Sequence, residues 1–124
     1  MLKDIDATAI LAVKDIGAAK DFYERILGLE PAGSEQDGMI LYKSGTSSVL
    51  VYESEHAGTN QANALAWSVG GDFDAIVEDL RTRGVIFEHY DLPGLRLQGD
   101  VHVAENFKAV WFKDPDGNIL HINA

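Results

Sequence analysis

The stretch that most constrains this chain lies near its end, from Ala109 to Ile122, where two short apolar runs flank Asp114-Pro115-Asp116-Gly117-Asn118. Pro115 fixes φ at the first corner, Gly117 tolerates positive φ, and the Asp and Asn side chains bond nearby amides. The stretch predicts a β-hairpin with a turn of about five residues. The same pattern stands earlier, from Met39 to Tyr52. Lys43 matches Lys113, Val49 matches Ile119 and Tyr52 matches Ile122, each at an offset of 70.

The segments between the hairpins repeat as well. Thr8 to Val13 reads as a strand, and Asp15 suits the N-cap of a helix with Ile16, Ala19, Tyr23 and Ile26 on one face. Phe22 and Leu27 border that face, and Gly28 suits the position after the helix. A polar connection follows from 33 to 38. The segment 53–63 is polar and aperiodic, a connection between halves. The order then restarts. Ala64 to Val69 is a strand, Asp72 caps a helix burying Phe73, Ile76, Val77 and Leu80, and Gly84 closes it. Val69 and Gly84 stand 56 residues after Val13 and Gly28. Val85 to His89 is a strand, and 90–106 reads as a long loop. The expected fold is α+β, one domain of two tandem βαβββ modules, approximately 1–57 and 58–124. Neither module of about sixty residues has enough core to stand alone.

Composition narrows function. A net charge of −10 repels phosphate backbones, so no nucleic-acid partner is expected. Zero cysteines exclude disulfides, thiolate catalysis and Cys-zinc sites. There is no apolar run long enough to span a membrane and no apolar signal core, so a cytoplasmic protein without a membrane partner is expected. Serine-hydrolase elbows, phosphate-binding glycine loops and His-Glu-x-x-His helices are absent from the sequence.

Four motifs together resemble the vicinal oxygen chelate superfamily: Val13-x-Asp15, Asp21-Phe22-Tyr23, Leu27-Gly28-Leu29 and Phe112-x-Asp114-Pro115-Asp116-Gly117-Asn118. That group includes glyoxalases, bleomycin-resistance proteins, fosfomycin-modifying enzymes and extradiol dioxygenases. The resemblance implies two sheets curled around a central cleft with helices outside, and a homodimer as the expected assembly. In metal-dependent relatives, four symmetric cleft positions hold a divalent ion. The motifs map these onto Thr8 and Ala64 in the first strands, and onto Val51 and His121 after the hairpin turns. One of four can ligate well, which predicts no metal and no cofactor.

The resemblance makes His121 either an acid/base or hydrogen-bond donor to a ligand, or a core histidine bonded to a neighbour. Trp111 lies where dioxygenase relatives place a cleft-facing aromatic. If it pairs with His121, both face the cavity. By alternation, Trp67 packs under the helix, whereas Ala64, Ala66 and Ser68, like Thr8, Ile10 and Ala12, face the cleft. Tyr90 heads a candidate lid running to Gly94. Glu53, Glu55, His56, His89, His102 and Phe107 are either rim or ordinary solvated loop. The expected ligand positions are therefore Thr8, Val51, Ala64, Tyr90, Trp111 and His121, with His121 the candidate catalytic group. The expected partner is an amphipathic or aromatic small molecule, sequestered without metal. The alternative is a glyoxalase-like lyase, isomerase or dioxygenase of the same fold, with or without a divalent metal.

Overall fold

Asp15 ends one strand and begins a helix: its Oδ1 accepts from the Gly17 N–H at 3.1 Å while its own backbone is still extended at φ −134°. From such local signals the computed structural model, which describes residues 1–33 and 35–124, builds two compact units. The first is residues 1–60 with 115–118, and the second is 61–114 with 119–124. Ser34, in the connection 33–38, lies outside the described residues.

In the first unit, β1 (Ala9–Val13) leads to α1 (Ile16–Lys20) and then directly to a π-helical segment (Asp21–Ile26). The wider π turn, with the Leu27 N–H bonded to the Phe22 carbonyl at 3.0 Å, brings consecutive residues inward. Phe22 and Tyr23 are therefore both buried, and Ile26 is only half-buried. Then come β2 (Glu30–Pro31), β3 (Met39–Ser44) and β4 (Ser47–Glu53), in sheet order β1-β4-β3-β2. The β3–β4 turn is only two residues long, with Gly45 at φ 59°, as a mirror-image turn requires. Leu11, Val13, Ile40, Tyr42, Val49 and Val51 fill the core on one sheet face. Tyr42 also donates its hydroxyl to Glu24 at 2.7 Å. The opposite face carries Ile10, Met39, Leu41 and Leu50, the first three exposed.

The second unit comprises β5 (Asn63–Ser68), α2 (Phe73–Thr82), β6 (Phe87–Glu88), β7 (Arg96–Gln98), β8 (Val101–Ala104), β9 (Phe107–Lys113) and β10 (Ile119–Asn123). Its sheet runs β5-β10-β9-β8-β7, with β6 pairing the same edge of β9 as β8. Without β7 and β8, the order β5-β10-β9-β6 repeats β1-β4-β3-β2. The chain is thus α+β, with two mixed sheets and the βαβββ order made twice. Phe73, Val77 and Leu80 of α2 are buried, as are Phe87, Val110, Phe112, Leu120 and Ile122 on one sheet face. Lys108 on that face lies 4.8 Å from the Phe73 ring centre and bonds Asp74 at 3.0 Å. Among the described residues no helix is long and apolar enough to cross a membrane.

Three sequence expectations change here. Asp72 precedes α2 but makes no capping bond, because a short 3₁₀ turn (Gly70–Asp72) intervenes. The expected loop 90–106 contains the β7–β8 hairpin, turning at Gly99-Asp100 with Gly99 at φ 61°. The two main hairpins also differ in register. Lys43 pairs with Ser48, but Lys113 pairs with Ile119, so the second turn is one residue longer. The repeat offset of 70 on the first hairpin strand becomes 71 on the second.

Candidate functional site

That extra residue decides which side chains share a face with His121. Ile10 pairs with Leu50 and Ala66 pairs with His121. Leu50, not Val51, is therefore the first-unit counterpart of His121. Val51 is fully buried on the core face beside Val49. Thr8 is exposed and precedes β1, and Ala64 is the extra residue of a bulge where β5 meets β10.

Around His121 the second sheet builds an aromatic cluster. His121 stands directly opposite Trp111, and paired residues share a face. Their ring centres are 4.4 Å apart. His102 meets Trp111 edge-to-face at 4.8 Å, and Tyr90 does so at 5.8 Å. Trp111, His121 and His102 are all more than nine-tenths buried. Tyr90 therefore joins the cluster, while Leu92, in the expected lid, lines the neighbouring pocket. That pocket, of ≈ 270 Å³, is lined by Trp111, Tyr90, Leu92, Ile119, Asn63 and residues 61–62.

The polar atoms of the cluster are unevenly satisfied. Asn123 bridges two neighbours: its Oδ1 accepts from the Ser68 hydroxyl at 2.8 Å, and its Nδ2 donates to His121 Nε2 at 2.9 Å. The Tyr90 amide donates to His102 Nε2 at 2.9 Å. Among the described residues, three buried side-chain atoms have no hydrogen-bond partner: His121 Nδ1, His102 Nδ1 and the Tyr90 hydroxyl. Each such group costs about 1–3 kcal/mol when left unpaired. Burial pushes the His121 pKa below its ordinary value, favouring a neutral ring. Burial first, and then the Glu88 carboxylate, push the Tyr90 phenol up, keeping it protonated.

The remaining candidates have other partners. Glu53 accepts from the Ile16 amide at 3.2 Å. His89 and Arg81 both hold Asp100 at 2.8 Å, and the His89 hydrogen bond, with Arg81, keeps that carboxyl below the usual range. His56 and Glu55 are exposed, and Phe107 is partly exposed. Trp67 is half-buried on the core face of β5. Sequence reasoning left His102 open and passed over Asn123. The alternation of Val101, His102 and Val103 beside Gly99-Asp100 was the available signal.

The family's metal does not fit this donor set. Thr8 offers one exposed hydroxyl, while Ala64 and Leu50, like Val51, offer no ligating side-chain atom. Among the described residues no group of three or more His, Asp or Glu side chains is placed to hold an ion.

Residues 4–122 match the family model of the Glyoxalase/Bleomycin resistance protein/Dioxygenase superfamily. The chain belongs to that superfamily. No curated protein matches it in sequence. Among solved structures it resembles the fosfomycin resistance protein of Mesorhizobium loti at 13% identity and a TM-score of 0.69, covering 100% of this chain and 93% of that one. A glyoxalase/bleomycin resistance protein/dioxygenase from Alicyclobacillus acidocaldarius gives 20% and 0.70, covering 95% and 89%. The lactoylglutathione lyase of Agrobacterium tumefaciens gives 16% and 0.68, covering 94% and 90%. At these identities the likeness is one of fold.

Proposed function

We propose that this superfamily member is a metal-independent small-molecule binding protein that holds an aromatic or amphipathic ligand against Trp111. The observation carrying this reading is the cluster around Trp111, where three buried polar atoms lack partners beside a pocket of ≈ 270 Å³. An aromatic wall with a few unsatisfied polar groups is how small-ligand sites combine affinity with orientation. The volume suits a ligand of about one ring, being just under the ~300 Å³ at which ligand pockets usually begin. The protein acts as one cytoplasmic domain, working as a homodimer.

A second reading, a metal-free enzyme, is favoured by one observation: His121 is a buried, neutral imidazole with a free ring nitrogen. A thermal-unfolding screen separates the readings from a metalloenzyme. One-ring aromatic ligands should raise Tm, whereas Zn, Ni, Fe and Mn salts should not, since only binders of the native state stabilise it. Purified protein should carry well below one equivalent of these metals. Stoichiometric metal whose removal abolishes an activity would overturn the proposal.

A further inference from the structure

We infer that Ser68 and Asn123 are positioning residues that lock His121 as its Nδ1–H tautomer, making the Trp111 site a receptor for a ring bearing an oxygen acceptor. The ligand half of this inference rests on the proposed function. The tautomer half does not.

Asn123 turns its Oδ1 to the Ser68 hydroxyl and its Nδ2 to His121. Asn123 Nδ2 can only donate, so His121 Nε2 must accept. A neutral imidazole then carries its single proton on Nδ1, the atom with no partner. The same logic applies across the cluster. An orphaned buried N–H is rarer than an under-satisfied carbonyl, so the Tyr90 amide claims His102 Nε2 ahead of the carbonyl contact at 3.1 Å. His102 Nδ1 is thereby also a donor, and the Tyr90 hydroxyl is a third. Around one indole lie buried N–H and O–H groups that have no partner among the described residues. A ligand that opens the packing over them recovers the lost hydrogen bonds only with oxygen acceptors, a carbonyl or a carboxylate. An ammonium group would find no acceptor at either imidazole Nδ1 and only the phenol oxygen of Tyr90.

The first test needs no ligand. Histidine ¹⁵N spectra of the full chain at neutral pH should show His121 protonated at Nδ1. Asn123→Asp, whose carboxylate accepts, should move that proton to Nε2 with the circular dichroism unchanged. Ser68→Ala should weaken the preference without reversing it. An Nε2–H signal in the wild type, or no change in a folded Asn123→Asp protein, would overturn the lock. The second test compares benzoate, acetophenone and benzylammonium by tryptophan fluorescence. Benzoate or acetophenone should bind at least about tenfold more tightly than benzylammonium, the factor that one hydrogen bond of ordinary net strength gives. Which of the two leads distinguishes carboxylate from carbonyl. Equal binding of benzylammonium overturns the acceptor preference. Binding of none of the three overturns the ligand class and the proposed function together, while the tautomer spectrum still decides the lock.

Discussion

At the scale of single residues, His121 is the group whose environment most departs from its sequence neighbourhood. Burial holds its folded-state pKa below the ordinary value of 6.5, so between those two values the unfolded chain binds more protons than the native one. Its neutral form therefore favours folding fully above about pH 6.5, and that contribution falls as the pH drops toward the folded pKa. Urea denaturation between pH 8 and pH 5, on the order of the range in which histidines titrate, should show stability falling toward acid. His121→Gln should flatten this limb. An unchanged slope in the variant would place the acid sensitivity on another group. Little of this environment could be read in advance. The sequence shows a histidine in an apolar strand, which demands a polar partner, but Asn123 and Ser68 become that partner only through strand alternation and the β5–β10 pairing.

At the scale of elements, turns carry most of the specification. Both hairpins, the Asp15 cap and the Gly28 exit were legible, because each rests on local backbone chemistry. The β7–β8 hairpin was missed because its strands are short and one carries the polar Arg96 and Gln98. The register difference was missed because matching residues by a constant offset hides a one-residue change in turn length. This moved the counterpart of His121 from Val51 to Leu50. The turn 115–118 packs within the first unit: the Lys14 amide donates to Asp116 Oδ2 at 3.1 Å, and Asn118 Nδ2 donates to the Ala12 carbonyl at 2.8 Å. Gly58 is the close approach. Its φ is +81°, and a Cβ there would lie 2.7 Å from the Asp116 carbonyl oxygen. Gly58→Ala should thus destabilise by about 2–4 kcal/mol, combining left-handed strain with a backbone clash. Gly28→Ala, at φ +74° with open space around it, should cost only about 1–2 kcal/mol. Denaturant midpoints would check the order, and equal costs would contradict the close approach.

At the scale of the whole molecule, a glyoxalase/bleomycin resistance/dioxygenase fold is combined with expected metal positions that supply almost no donors among the described residues, on a chain of net charge −10. That net charge repels phosphate backbones. On the proposed reading, the local donors around Trp111 select the ligand, not long-range charge. Fold leaves function open, so the central claim is that a ligand binds at Trp111 without metal. Its most direct test is one fluorescence titration with benzoate, made on wild type and Trp111→Phe after exhaustive treatment with chelator. The account predicts a saturable response in the chelated wild type and none in the variant, where Trp67 remains as a silent background. A wild-type response that disappears on chelation and returns with added Zn, Ni, Fe or Mn would contradict it, as would a full response surviving in Trp111→Phe.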